Sequence, residues 1–381
     1  MEFLLTFYVY PLPEKMVLSK ELGFCLDNPR TELEIAFVKD YLLRAYESGY
    51  DYRLPVDSEE PIVTLEGILF DFRDNLSSED RYVAKVFESY SRDEIFEFIA
   101  KMWIIARFDD KGIGQRLREE HRRMREEGIQ GFFMLEDDHP IMSASKNLSN
   151  YCHLLALLVH SEKDEYFGRP LLVEPELIDR TQPTGIIWRE FMLFGMASHH
   201  YPDARQDSLD WTFFPYVREN VQKVAIALEE AFQEGLGDKL LYVGNLLKIA
   251  AHEARETRLR IVVLTSIIEL LLTHSPDFHR FNVEDSISKQ FRLKASLLVY
   301  LNDRSRDIDA VSRRLKTIYN QRSNIAHGNF KAVDKYIGNL SKKEGEEEYL
   351  DDLVVDLYTY IRAILEEYLK DHALVEFLKD N

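Results

Sequence analysis

The chain has 381 residues, 45% of them hydrophobic and 12% aromatic, with a formal net charge of −19. That length and apolar content fit two packed domains and exclude a disordered chain or a disulfide-stapled mini-protein. Cys25 and Cys152 are the two cysteines and lie far apart without a partner motif, which points to a reducing compartment and away from a zinc–thiolate site.

The first residues carry no basic segment before their apolar stretch, so they do not read as a signal peptide. Phe3–Tyr10, rich in β-favouring aromatics, predicts a strand, as does the segment 62–72. Apolar residues at three- and four-residue spacing predict helices over 32–46, 89–107, 148–160, 216–232 and 240–254. Between them, Gln233–Asp238 holds two glycines in three positions. A helix stop and domain boundary is expected there, near residue 237, giving an N-terminal domain of residues 1–237 and a C-terminal domain of residues 238–381.

Beyond that boundary the pattern is almost wholly helical. After a helix over about 239–253, Thr257–His274 is apolar nearly all round and predicts the central helix of a bundle. Its most apolar part, Ile261–Leu272, contains Glu269 and is too short to span a bilayer. A break at Ser275-Pro276-Asp277 precedes a helix over about 286–301 and another from about Asp307 through Arg322. Residues from Gly338 into the glutamates after 344 read as a polar, acidic loop, and a final helix starts at Leu350 and reaches Leu369 or beyond. The expected fold is mainly α: a C-terminal bundle of four to five helices, and a separate N-terminal domain that is mostly helical with a few strands. Nothing in it suggests a membrane protein, and the expected location is the cytoplasm.

Net acidity is unfavourable for a protein that handles nucleic acid, because phosphates avoid an acidic surface. The charge is uneven, however. Between Lys289 and Lys331 ten lysines and arginines face only three acids, Asp303, Asp307 and Asp309, a local surplus of seven. A solvated helix face and a focused anion site both explain such a segment. Within it stands Arg322-Ser323-Asn324-Ile325-Ala326-His327-Gly328. Arginine is a permanent forked cation suited to phosphate oxygens, and histidine gives and takes protons near neutral pH. Cleavage of RNA needs both roles, and it needs no metal when the ribose supplies the nucleophile. On an ideal helix, however, Arg322 and His327 point about 140° apart. Asn324 and His327 share a face, and Gly328 is placed to end the helix. Two copies of the motif across a dimer axis would resolve the divergence.

The run Tyr319-Asn320-Gln321-Arg322-Ser323-Asn324-Ile325-Ala326-His327-Gly328 resembles the Y-x-x-R-S-x-I-x-H-G core of the HEPN superfamily, nearest its Apea-like branch. Ile267–Leu271, with Glu269, resembles that branch's glutamate-bearing apolar helix, and Ser288–Leu298 its basic helix. The likeness covers about residues 240–370 and leaves the first 235 uncovered. It implies a dimerising helical bundle in which Arg322 and His327 of both subunits line a cleft and cut RNA without metal or other cofactor, leaving a 2′,3′-cyclic phosphate. Asn324 would be the third catalytic residue, with Glu269, Ser323 and Gly328 in support. Lys289, Arg292, Arg313, Arg314 and Lys316 would hold flanking phosphates. Such proteins act in phage defence or growth arrest; others serve as non-catalytic dimerisation, adaptor or nucleotide-binding modules, which is the alternative here. The N-terminal domain would receive a protein or ligand trigger.

Glu269, on its apolar helix, is expected to pair with Arg292 or Arg322, because an unpaired buried carboxylate is costly. Other charged clusters read as structural. Arg116–Glu127 mixes both signs at helical spacing, as a solvated helix does. His199-His200 lacks a further ligand at a helical offset, and Glu136–Pro140 lacks the spacing of a calcium loop. His252-Glu253 lacks the second histidine of a zinc-protease helix, and no glycine loop suited to nucleotide phosphates occurs.

Overall fold

The computed structural model describes residues 2–9, 12, 14–32, 34–36, 38–39, 92–108, 123, 126, 140–159, 213–254, 256–273, 287–340 and 350–380. These residues are mainly helical, and their strands are confined to the N-terminal part. The expected strand at 62–72, the histidines 199 and 200, and residues 136–139 lie outside them. So do most of the charged segment 116–127, the break after His274 and the acidic residues 341–349. Among the described residues no helix is long and apolar enough to cross a membrane.

The chain falls into two compact units. Among the described residues, the first holds those up to Cys152 and Phe213–Glu229, and the second holds His153–Val159 and everything from Glu230 onward. The expected boundary near residue 237 coincides with the turn at Glu234–Leu236, whereas the division by contacts lies between Glu229 and Glu230. Glycine punctuation marks where a helix stops, not which core its last turns join.

In the first unit, β1 (Glu2–Val9), β2 (Met16–Ser19), β3 (Phe24–Asp27) and β4 (Trp103–Phe108) form one sheet in the order β1-β4-β3-β2, antiparallel throughout. Glu2 and Phe24 both face Phe108 in register, on either side of β4. Helix α1 (Arg92–Met102) runs directly into β4. This corrects the expectation of one helix over 89–107. The run Trp103-Ile104-Ile105 fits a helical period, yet its aromatic and β-branched side chains also suit a strand, and pairing on both edges decides for the strand. The short β2 and β3 were not foreseen; Gly23, at φ 61°, completes the turn between them. Trp103, Ile104, Ile105, Phe24, Leu26 and Phe96 are buried. Within α2 (Pro140–Val159), the Tyr151 hydroxyl donates to Leu18 O at 2.5 Å.

At the end of β3 this unit holds a buried polar network. Arg107 donates to both Glu34 carboxylate oxygens, through Nη1 and, at 3.0 Å, through Nη2. Its Nε donates to Asp27 Oδ2 at 3.2 Å. Asn28 Nδ2 donates to the carbonyls of Met102 and Trp103. The Arg107 guanidinium holds the Glu34 carboxyl well below its ordinary value, at about 2.

Helix α3 (Phe213–Gln233) leads into the second unit, where α4 (Gly237–Lys248) continues through a π-helical turn at Ile249–Glu253. Then follow α5 (Thr257–Leu272), α6 (Ile287–Asn302), α7 (Ile308–Ala326), α8 (Phe330–Leu340), α9 (Leu350–Lys370) and α10 (His372–Asp380). As its all-round apolarity predicts, α5 is the central element and packs against α4, α6, α7, α9 and α10. Ile261, Leu264, Ile267, Ile268, Leu271 and Leu272 are fully buried on it, each such side chain contributing about 1.5–3 kcal/mol. The bundle exceeds the expected helix count by α8 and α10. Gly338, expected in a loop, lies in the last turns of α8, and Leu350–Asp352 form the first turn of α9.

Candidate active site

Helix α7 carries the motif, and both of its ends are fixed by capping. At the N-terminus the Asp307 carboxylate accepts from the backbone N–H groups of Asp309 and Ala310, at 2.9 and 3.3 Å. This satisfies donors the helix leaves open. Val311, Leu315, Ile318, Gln321 and Ile325 form its buried stripe. Arg313, Lys316, Asn320, Asn324 and His327 lie within about 80° of one another on another face. All of these are exposed except Asn324, which is half-buried. From Arg313 to His327 this polar stripe is about 21 Å long.

At the C-terminus, His327 occupies the C-cap at φ −95° and ψ 7°, and its N–H donates to Ser323 O at 3.0 Å. Gly328 follows at φ 69°. Its N–H reaches Ile325 O at 3.0 Å, and the Asn329 N–H reaches Asn324 O at 2.7 Å. These two bonds are the paired closure of a Schellman cap. A Cβ on Gly328 would touch nothing within 4 Å, so glycine is favoured for its left-handed backbone rather than for space. The Asn324 side chain is engaged locally, its Oδ1 accepting from Asn329 Nδ2 at 3.2 Å.

Arg322 points about 140° away from His327, toward α5. Its Nη2 donates to Glu269 Oε2 at 2.8 Å, with side-chain exposures of 25% and 18%. Of the two expected partners for Glu269, the structure pairs it with Arg322. The guanidinium carbon lies 5.8 Å from the centre of the Tyr319 ring, which rests against Phe291 of α6 at 5.1 Å. Burial, reinforced by the Glu269 carboxylate, raises the Tyr319 phenol above its ordinary value. Arg322 Nε is buried without a hydrogen-bond partner. Pairing and ring contact together hold the guanidinium in one place, half-buried on the Glu269 side of α7.

The other candidate cations divide. Arg313 and Lys316 stand exposed on the His327 face. Arg314 is ion-paired with Asp356 of α9, Lys289 is half-buried, and so is Arg292, whose Nε is buried without a partner. Two of the five, Arg313 and Lys316, therefore share the His327 face of α7, about 21 and 16 Å along the helix from it. No role is expected for Tyr319 from the sequence, although it stands within the motif. Its position one turn before Arg322 was the signal that the two side chains meet.

Among the described residues no group of three or more His, Cys, Asp or Glu side chains is placed to hold a metal ion. Comparison with protein-family models, with curated proteins and with solved structures found no match.

Proposed function

We propose that the second unit is a HEPN-type endoribonuclease that cuts RNA through its ribose, working as a homodimer in the cytoplasm. The observation that carries this reading is the C-terminal turn of α7. It presents His327 to solvent on the same face as Arg313 and Lys316, with Arg322 anchored by Glu269 in the turn before. In the reaction, the 2′-hydroxyl oxygen attacks the adjacent phosphorus as its proton leaves. The bond from phosphorus to the 5′-oxygen breaks and that oxygen takes up a proton. The products are a 2′,3′-cyclic phosphate and a 5′-hydroxyl. His327 serves as general acid or base, and Arg322 offsets the charge that builds on the phosphate oxygens. A phosphate beside His327 would meet few bare carbonyls, because those of Asn324 and Ile325 already accept from Asn329 and Gly328.

A single chain turns Arg322 and His327 apart, so the complete site requires the two motifs of a dimer. The N-terminal unit would carry a sensor for a trigger, as phage defence or growth arrest requires of a toxic nuclease. The rival reading, a non-catalytic dimerisation or adaptor module, draws on one observation: Arg322 is already paired with Glu269. Incubating the full chain with total RNA, with and without EDTA, separates the two. Cleavage that persists in EDTA and is lost in Arg322→Ala and His327→Ala supports the nuclease. No cleavage, equal cleavage by all three proteins, or cleavage stopped by the chelator overturns it.

A further inference from the structure

Ala326 through Lys331 form an unbroken exposed run directly around the capped end of α7. The largest side chain in it is Phe330, 47% exposed at the start of α8. A lone exposed phenylalanine is common on protein surfaces, but this one is held in place. The Arg258 guanidinium of α5 lies 5.3 Å from the ring centre, and Arg258 is itself fixed by Asp334, one turn along α8, at 2.9 Å. A cation braces the ring while about half of the residue remains open to solvent. Three peptide steps separate Phe330 from His327, so their Cα atoms lie within about 11 Å, the reach of a nucleotide beside the phosphate that His327 serves. Lys331 and Lys335 are exposed on the same short helix and supply positive charge for the strand's backbone.

Resting on the ribonuclease reading, we infer that Phe330 is a base-stacking platform for the nucleotide next to the phosphate that His327 serves. An open aromatic face accepts the π-face of any unstacked base with little regard to sequence. Bases inside an A-form duplex are stacked on one another and cannot offer that face, so loops, bulges and single strands are selected.

The test measures binding by the full-length chain of a fluorescein-labelled 12-nucleotide RNA of mixed sequence. Every ribose carries a 2′-O-methyl group, which removes the nucleophile, and the blunt duplex of the same strand is measured alongside. Phe330→Ala and Phe330→Leu should each weaken single-strand binding by about 5- to 150-fold. Phe330→Tyr should keep the native affinity, and duplex binding should change little in any variant. Native affinity in the leucine variant, equal losses on strand and duplex, or a lower solution molar mass for Phe330→Ala overturns the inference, the last because it makes the ring a subunit contact. If Phe330→Ala binds and cuts RNA like the native chain, this inference fails and the nuclease reading stands. If the native chain neither binds nor cuts RNA, both fall.

Discussion

Arg322 Nη2 donates to Glu269 Oε2 at 2.8 Å, joining α7 to the central helix α5. A carboxylate on the apolar central helix and the arginine of the α7 motif thus explain each other's presence. Removing either partner leaves the other half-buried and unpaired. Glu269→Ala should cost about 1–3 kcal/mol in urea unfolding, and Arg322→Ala a similar amount. In a double-mutant cycle the pair should show a coupling of about 0.5–3 kcal/mol. Additive losses would mean that the pair contributes nothing to holding the guanidinium.

Gly328 ends α7 at φ 69° with open space where a Cβ would stand. Gly328→Ala should therefore destabilise the protein by about 1–2 kcal/mol through backbone conformation alone. Gly328→Asn should cost less, since asparagine tolerates the left-handed region. Thermal unfolding of the three proteins checks the order, and an alanine variant as stable as the native chain would show that the cap is not held in this conformation.

Glu34 ties the first unit to acid stability. Its carboxyl is held down to about 2 by Arg107, from an ordinary value of 4.5. A lowered folded-state value adds stability that is complete above pH 4.5 and disappears as pH falls toward 2. The contribution at neutral pH is about 3 kcal/mol. Glu34→Gln should lose most of it at pH 7 and show a flatter decline over that acid window. Amide exchange of Phe24–Asp27, read at pH 7 and pH 3, measures both effects. An acid dependence unchanged in the glutamine variant would place the sensitivity elsewhere.

Much of the second unit was legible in the sequence because its signals are local. Asp307 announces the start of α7, Gly328 its end, and the apolar surround of Thr257–Leu272 its central neighbour. Glu269 was legible as one end of an ion pair because a carboxylate on such a helix needs a partner; the choice of Arg322 over Arg292 depended on how the helices pack. The first unit was harder. Trp103–Phe108 satisfies a helical period and becomes a strand only by pairing with β1 and β3, which stand about 80 to 100 residues earlier in the chain. Helix α8 was hidden because it begins just after a glycine stop and contains Gly338. At the candidate site the residue types and their spacing were legible. The contacts of Tyr319 with Phe291 and of Phe330 with Arg258 were not, because they join side chains from different helices.

If Arg322 of one subunit serves the phosphate together with His327 of the other, inactive variants should complement. Mixing Arg322→Ala with His327→Ala and allowing subunits to exchange should restore cleavage that neither protein has alone, because each mixed dimer rebuilds one complete pair. No recovery despite proven exchange would place both residues of the site in one chain and remove the case for a composite site.

The most direct test of the central claim is the chemistry of the cut ends. A short RNA treated with the full chain in EDTA, then analysed by mass spectrometry, should yield one fragment ending in a 2′,3′-cyclic phosphate and another beginning with a 5′-hydroxyl. Neither fragment should form with His327→Ala. Fragments bearing a 3′-hydroxyl and a 5′-phosphate, or the same cut made by His327→Ala, would contradict it.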